Sequence, residues 1–268
     1  MNKIRFIGDA VAYRGDFNMA LDDFLAREGG ACGYAAIIRL YRWQRPTLSC
    51  GFHQKVARRV NLEGCLAHGV DVVKRPTGGR ELLHENDISF SVTNFINFVG
   101  GNGIRVTRAN FDEVSSLIGM ILDRLGIQTR IARGQRRKKV TDLSPCSASP
   151  SQFELIWENK KIVPMAQRVY QDAILVHGSI PIVRHTIKTA RLLKTRDPDS
   201  LQQAIDKSIC SLEEILGEKP DTSRLVEAFL EAAGFFFKGE VNCLGLSKQE
   251  LARVSKEAFN WSIKLNQD

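Results

Sequence analysis

The sequence predicts an α+β protein with a mixed body over residues 1–184 and a smaller, mainly helical part over residues 185–268. Three observations predict this organisation. Helix and strand signals alternate in the first third of the chain, and a meander of strand-like segments follows at 153–176. After residue 185 the segments become charged and amphipathic, which is typical of helices packed on a body.

A first amphipathic helix that ends at Gly29-Gly30 is predicted, because apolar side chains recur upstream at helical spacing at Phe17, Ala20, Leu21, Phe24 and Leu25. Strand-rich segments are expected at residues 34–43, 70–74, 88–92 and 127–132. Asn110 is expected to cap a helix with one apolar stripe.

Further along the chain, the residues at 153–157, 163 and 166–176 predict strands that turn at Glu158-Asn159-Lys160. In the C-terminal part, Ser211 precedes Glu214 and Ser247 precedes Glu250 by three positions. This spacing predicts two helix-starting capping boxes.

Length and composition exclude several classes of protein. The chain has 268 residues, of which 43 % are apolar and 25 % charged, so it is long enough to bury one sizeable core and is not disordered. The longest apolar stretches are far shorter than a membrane span. No apolar run follows the first five residues, so we expect no secretory signal, no membrane association and a cytoplasmic location.

The cysteines support the same compartment. The six are Cys32, Cys50, Cys65, Cys146, Cys210 and Cys243. No two have CxxC spacing, and none combines with histidines at zinc-finger spacing, so no metal site is expected. A reduced cytosolic state is the economical interpretation.

The excess of positive charge, +8, is concentrated in one segment. Residues 130–139 hold six cations and no acid. A solvated loop would explain this run about as well as a docking patch. We favour an acidic protein partner over nucleic acid, because no RNA-binding motif accompanies the run.

Three stretches carry residues suited to chemistry. Gly78-Gly79 between arginines allows close backbone approach and a cluster of N–H donors, which suits an anionic or carbonyl-bearing ligand. Cys146 lies among serines and prolines just after the basic run, where nearby cations favour its thiolate. Lys161 belongs to a lysine pair at a predicted hairpin turn, which matters only if that turn folds over a site.

Together these stretches resemble the biotin/lipoate ligase and transferase family. The opening NMALD (residues 18–22) and the segment PTLSCGFHQ (46–54) are similar to two family motifs. RPTGGR (75–80), followed by His84 and Asn86-Asp87, is similar to the family's glycine-rich block. Residues 161–167 resemble its lysine loop, and HGSIP (177–181) resembles the strand behind that loop. The resemblance implies a mixed, largely antiparallel sheet flanked by helices.

Within the family, Cys146-x-x-Ser149-Pro150-Ser151 resembles the cysteine-dependent octanoyltransferases. Carried over by position, Cys146 is the nucleophile and Lys161 contacts the acyl carbonyl and assists proton transfer. The resemblance places further residues around the substrate, namely Arg75, Thr77, Gly78, Gly79, Arg80, His84, Ser149, Ala166, Gln167, His177 and Gly178.

The resemblance implies transfer of an octanoyl group from acyl carrier protein to a lysine of a lipoyl domain or glycine-cleavage H protein, by a protein expected to be a monomer. A thioester donor is already activated, so no cofactor is expected to be required. The alternatives are amidotransfer between lipoyl domains, an ATP-dependent lipoate ligase, and a non-catalytic subunit that binds a lipoyl domain.

The lysine loop departs from the family pattern. Pro164 and Met165 stand where the family has glycine and serine. Proline fixes φ and removes an N–H, so the loop is expected to follow its own path, which bears on how Lys161 reaches the site. Met165 is expected to reshape or shorten the acyl pocket.

Overall fold

A six-stranded mixed sheet forms the centre of the computed structural model, which describes residues 2–96, 103–132 and 155–264. Its strands follow the order β10-β11-β6-β2-β1-β12. The twelve strands of the described residues are β1 (Asn2–Tyr13), β2 (Ala36–Trp43), β3 (Thr47–Cys50), β4 (Asp71–Lys74), β5 (Leu82–His84), β6 (Asp87–Phe95), β7 (Arg130–Ile131), β8 (Leu155–Trp157), β9 (Lys160–Val163), β10 (Met165–Val169), β11 (Ala173–Pro181) and β12 (Gly239–Cys243).

Helices cover both faces of this sheet. Those of the described residues are α1 (Gly15–Glu28), α2 (Val56–Arg59), α3 (Leu62–Ala67), α4 (Gly103–Arg124), α5 (Pro198–Ser208), α6 (Leu212–Leu216), α7 (Thr222–Phe237) and α8 (Lys248–Glu257).

The directions of the strands confirm the predicted fold class. In the large sheet β10, β11, β6 and β2 pair antiparallel in succession, whereas β2 with β1 and β1 with β12 pair parallel. Two three-stranded sheets stand beside it, with the orders β4-β3-β5 and β7-β8-β9. The predicted mixed, largely antiparallel sheet flanked by helices is therefore the fold that the sequence adopts.

The alternation of side chains along the central strands separates a dry face from a polar face. On the dry face Phe90 and Val176 belong to the main hydrophobic core, which α4 and α7 complete. On the opposite face a row of polar side chains runs across three neighbouring strands, because Arg39 and His177 both stand in register with Ser91. Helix α1 covers that row, so the polar groups are buried rather than solvated.

Most predicted elements are confirmed. The first helix and both capping boxes are present, the boxes at Ser211 with Glu214 and at Ser247 with Glu250. The predicted single meander is wrong, because β8 pairs with β9 in a small sheet whereas β10 pairs with β11 in the large one. The predicted helix cap at Asn110 is wrong, because α4 already begins at Gly103. Asn110 is buried inside that helix, and its Oδ1 accepts a hydrogen bond from Asn94 Nδ2 at 2.5 Å.

The C-terminal residues share the core of the body. Strand β12 adds to the large sheet beside β1, and Phe229 of α7 lies against Phe90 with 5.8 Å between ring centroids. Residues 185–264 are otherwise mainly helical. A domain boundary between residues 184 and 185 stays a prediction.

Among the described residues, no helix combines the length and the hydrophobicity that a bilayer crossing needs.

This shared core predicts that the C-terminal helices contribute to global stability. Replacing the fully buried Phe229 by Ala (Phe229→Ala) should lower the free energy of unfolding by about 3–5 kcal/mol. Phe235→Ala, in the same helix but 72 % exposed, is the matched control and should change it by less than about 0.5 kcal/mol. Urea titrations followed by circular dichroism measure both. A separate early transition in Phe229→Ala, with the body unaffected, would contradict a shared core.

Candidate active site

A cleft opens between the large sheet and the small β4-β3-β5 sheet, close to the start of β10. It holds about 380 Å³, including its open mouth. Its walls combine apolar side chains with the buried polar groups of the central strands. The lining residues are Met19, Tyr41, Trp43, Ser49, Arg75, Leu82, His84, Pro164, Met165, Ala166, His177 and Gly178. A mainly apolar cleft with a few convergent polar groups suits a small organic ligand.

Arg75 occupies the centre of the polar groups and is 4 % exposed. Its Nη2 donates hydrogen bonds to the carbonyl oxygens of Gly78 at 2.8 Å and Arg80 at 2.6 Å. Its Nη1 donates to the Ser49 carbonyl oxygen at 3.0 Å. Arg75 therefore ties the glycine-rich loop to strand β3.

The glycine-rich loop has a conformation that its sequence explains. Gly79 has φ +95°, a region that side chains disfavour, and a Cβ there would lie 2.7 Å from Arg75 Nη2. A Cβ on Gly51 would meet the Gly79 carbonyl oxygen, so the two loops need glycine at their contact. Within the described residues, the N–H groups of Gly78 and Gly79 donate no hydrogen bond.

A second anchor fixes this loop from its far side. The buried carboxylate of Glu81 accepts a hydrogen bond from Arg59 Nη2 at 2.5 Å and another from the Gln54 side-chain amide. Gln54 Oε1 in turn accepts from the Gly51 N–H at 2.8 Å. Arg75 and Glu81 together hold the loop between two fixed points.

One buried chain of hydrogen bonds runs from Asp22 through His177 to Arg75. His177 Nδ1 lies 3.2 Å from Asp22 Oδ2, and its Nε2 lies 2.6 Å from Thr77 Oγ1. Arg75 Nε donates to the same Thr77 oxygen at 3.2 Å. An ionised Asp22 only accepts, so His177 carries its proton on Nδ1 and accepts from the Thr77 hydroxyl on Nε2.

A second chain of the same type starts at Asp87. His84 Nδ1 lies 3.0 Å from Asp87 Oδ2, and His84 Nε2 lies 2.9 Å from Ser49 Oγ. Arg75 Nη1 donates to Ser49 Oγ at 3.2 Å. Trp43 stacks on the His84 ring with 4.0 Å between centroids, which fixes the plane of the imidazole. Both chains converge on one guanidinium.

Burial sets the protonation states of these groups. It lowers the pKa of His177 and of His84, so both imidazoles are neutral near neutral pH. It also raises the pKa of the Asp22 carboxyl, but the hydrogen bond from His177 and the charge of Arg39 outweigh this effect, and the pKa lies below its ordinary value. For Asp87, interaction with His84 and a hydrogen bond from Ser179 likewise outweigh burial and lower the pKa.

The structure brings most of the predicted site residues together. Arg75, His84, Ala166, His177 and Gly178 line the cleft. Thr77, Gly78, Gly79 and Arg80 belong to the loop that Arg75 holds. Gln167 follows Ala166 on β10, and its Oε1 is buried without a hydrogen bond in the described part of the chain.

Of the two predicted catalytic residues, only Lys161 lies among the described residues. Lys161 lies on β9, three positions before the cleft residue Pro164, and its side chain is buried. Cys146 and Ser149 lie outside the described residues, as does the basic run after residue 132. Among residues 2–96, 103–132 and 155–264, no group of three His, Cys, Asp or Glu side chains could hold a metal ion.

Sequence reasoning missed the groups that support the site from behind. Arg39 Nη1 donates to Asp22 Oδ1 at 3.0 Å, and Tyr41 OH donates to Asp22 Oδ2 at 2.9 Å. All three are buried. A usable signal existed, because an arginine inside the apolar strand 36–41 and an aspartate on the apolar face of a helix each need a buried partner.

Met165 lies between the cleft and the main hydrophobic core. Met165 borders the cleft, and it also packs into the main core, where its Cγ lies above Gly178. A Cβ on Gly178 would come within 2.8 Å of that Cγ and 2.7 Å of the Phe90 ring. The methionine thus fills the space that the absent side chain leaves on the dry face. A shortened acyl pocket stays a prediction.

Comparison with solved structures identifies the class of fold. A lipoate-protein ligase A bound with ATP superposes with a TM-score of 0.71 at 18 % identity, covering 97 % of this chain and 95 % of that chain. A bipartite lipoate protein ligase with its E2 lipoyl domain, from Thermoplasma acidophilum, gives 0.73 at 16 % identity over 97 % and 92 %. The fold is therefore that of the lipoate-protein ligases.

Comparison of sequences then defines the family. The family described as lipoyl protein ligase A/B catalytic domain matches residues 14–234. Octanoyltransferase LipM of Carboxydothermus hydrogenoformans is 34 % identical over 97 % of each chain, and that of Kyrpidia tusciae is 32 % identical over 81 % of this chain and 83 % of its own. This chain belongs to the lipoyl protein ligase A/B catalytic domain family, which confirms the predicted resemblance.

The buried neutral histidines predict a pH dependence of stability. In the unfolded chain histidine binds a proton below pH about 6.5, whereas folded His84 and His177 resist protonation. The free energy of unfolding should therefore fall as the pH is lowered from about 7 to 5, by up to about 1.4 kcal/mol per histidine and pH unit. Urea titrations at several pH values across this range give the free energy of unfolding as a function of pH. This pH dependence should be weaker in His177→Gln, whereas His53→Gln, which replaces an exposed histidine, should keep the pH dependence of the wild type. An identical pH dependence in all three proteins would contradict the assignment.

The loop geometry predicts different effects at its two glycines. Gly79→Ala forces a side chain into positive φ and against Arg75, so it should lower the free energy of unfolding by about 1–3 kcal/mol. Gly78→Ala is the matched control, because its Cβ would point into open space, and it should change stability by less than about 0.5 kcal/mol. Thermal unfolding of the two variants makes the comparison, and equal stability would show that Arg75 does not fix the loop.

Proposed function

We propose that this protein is an acyltransferase that moves an octanoyl group from octanoyl acyl carrier protein to a lysine of a lipoyl domain or glycine-cleavage H protein. The observation that carries the proposal is the similarity to proteins named octanoyltransferase LipM over nearly the whole chain, 34 % identical to that of Carboxydothermus hydrogenoformans. The apolar cleft with polar groups at one side supports it, since an acyl chain needs the first and its carbonyl the second.

The proposed reaction has two steps. In the first, the Cys146 thiolate attacks the thioester carbonyl, a new carbon–sulfur bond forms, and the carrier leaves as a thiol that takes up a proton. In the second, the lysine amine attacks the enzyme thioester, an amide forms, and the Cys146 thiol is regenerated with the proton lost by the amine. No ATP is consumed, because both bonds broken are thioesters.

The described residues have defined tasks in this proposal. The N–H groups of Gly78 and Gly79 have no acceptor among the described residues, and Arg75 holds the Gly78 carbonyl oxygen on its own side. In a trans peptide the C=O and the next N–H point in opposite directions, so the Gly79 N–H points away from Arg75. This N–H is a donor available to a tetrahedral oxyanion.

The catalytic roles of Lys161 and Cys146 are proposed from the family resemblance. Lys161 would contact the acyl carbonyl and stabilise the thiolate in the first step. The three described buried cysteines are less suited to nucleophilic attack, since burial raises the pKa of Cys50 and of Cys65 to about 12 and that of Cys210 to about 11. Of the described cysteines, this leaves Cys32 and Cys243 as exposed competitors for Cys146.

The test is intact-protein mass spectrometry after mixing with octanoyl acyl carrier protein. We expect one octanoyl adduct on the wild type, its complete loss in Cys146→Ala, and its retention in Cys243→Ala, which removes an exposed thiol and serves as the matched control. Lys161→Met should slow adduct formation by roughly 10²–10⁴-fold, the usual range for loss of a proton-transfer group.

Other outcomes would point to the alternatives. An adduct on a cysteine other than Cys146 would refute the proposed nucleophile. If no adduct forms but ATP and lipoate yield an acyl-adenylate, the protein is a ligase. Tight binding to a lipoyl domain without turnover would identify a non-catalytic subunit. Acceptance of octanoyl from a modified lipoyl domain, and not from the carrier thioester, would identify an amidotransferase.

A further inference from the structure

A group of cations lies near one exposed aromatic ring beside the glycine-rich loop. Lys55 and Arg58 are exposed, whereas Lys74 and Arg168 are half-buried. The segment from residue 51 to 60 holds Lys55, Arg58 and Arg59 and no acid. Arg59 is neutralised by the buried Glu81 at 2.5 Å. We use the term basic rim for the set Phe52, Lys55, Arg58, Lys74 and Arg168.

Hydrogen bonds and one cation–π contact tie three members of the basic rim to the loop at the cleft. The Phe52 N–H donates to the Thr77 carbonyl oxygen at 2.9 Å, and Lys74 Nζ donates to the Phe52 carbonyl oxygen at the same distance. Arg168 donates to the Pro76 carbonyl oxygen at 3.1 Å and lies 4.8 Å above the Phe52 ring. Phe52, Lys74 and Arg168 are therefore held in place beside the loop, and Lys55 and Arg58 follow Phe52 in the same segment.

The charge of the basic rim is not balanced within the described residues. There, none of Lys55, Arg58, Lys74 and Arg168 makes a salt bridge. Four like charges in one area raise the local concentration of an anionic partner and its association rate. Phe52 is 42 % exposed in the midst of them. Protein–protein interfaces commonly have an apolar centre and a polar edge, and an exposed ring with charged side chains nearby matches this pattern.

We infer that the basic rim docks the acidic face of the acyl-bearing carrier protein, with Phe52 covered by an apolar side chain of that face. This inference rests on the proposed function and adds the surface that recognises the donor. Lys74 is followed by Arg75 of the cleft, and Phe52 follows Gly51, which contacts Gly79. A carrier seated here stands beside the loop at the cleft. The rim is separate from the basic run at 133–139, which lies outside the described residues.

The experiment compares two donors of the same thioester. One is octanoyl acyl carrier protein, and the other is octanoyl pantetheine, which lacks the protein. The variant is Lys55→Glu/Arg58→Glu, which reverses two exposed charges on α2 and its flank without touching a lining residue of the cleft. Lys248→Glu is the matched control, since it reverses an exposed charge at the start of α8, where an acid suits the helix dipole.

For the carrier donor, we expect the double variant to raise the concentration needed for half-maximal acylation by about tenfold at low salt, because charge steering is lost. With octanoyl pantetheine its rate should equal that of the wild type. Phe52→Ala should weaken use of the carrier in the same selective way. Lys248→Glu should behave as the wild type with both donors.

Three results would overturn the inference. These are unchanged use of the carrier by the double variant, an equal loss with both donors, and stronger retention of an RNA oligonucleotide than of the carrier. Failure of the wild type with both donors would refute the proposed function instead. Fluorescence anisotropy of labelled acyl carrier protein then decides the docking separately, because weaker binding by the double variant supports it and equal binding refutes it.

Discussion

The buried guanidinium of Arg75 is the interaction on which the candidate site depends. It donates to three carbonyl oxygens and two hydroxyls, and these belong to the glycine-rich loop and to strand β3. A planar donor group with fixed directions can hold several acceptors at once, which a lysine cannot do. The loop, the strand and the two histidines therefore keep one relative arrangement. An arginine predicted to contact substrate thus organises the polar groups at the cleft.

The two Asp–His pairs explain why this arrangement tolerates a buried charge. Asp22 and Asp87 each fix one histidine as a neutral acceptor, and the Nε2 of each histidine then accepts a hydrogen bond from a hydroxyl. The hydroxyl oxygens of Thr77 and Ser49 are left to accept from Arg75. Exchanging donor and acceptor in any one of these hydrogen bonds would leave a buried polar group unpaired, which costs about 1–3 kcal/mol. The two carboxylates therefore determine which group donates and which accepts at every hydrogen bond of the network.

Sequence patterns predicted those parts of the structure that local chemistry determines. The glycines at 78 and 79, the histidines at 84 and 177 and the helix carrying Asp22 stand out as motifs, and the structure gathers them at one cleft. For Arg39 and Trp43 local patterns cannot identify the partners, Asp22 and Ser89, because these are distant in sequence. Asn110 shows the same limit, since a contact with Asn94 overrides its preference for a helix start.

The departure at Pro164 and Met165 shows how a family pattern changes without loss of the fold. Pro164 joins β9 of the small sheet to β10 of the large one, where its carbonyl oxygen accepts from the Ser179 N–H at 3.2 Å. A junction between two sheets bends the chain, and a fixed φ suits a bend. Met165 then fills the space above Gly178. The backbone of Lys161 is consequently placed by the pairing of β9 with β8, where Lys161 stands opposite Ile156, rather than by a flexible glycine.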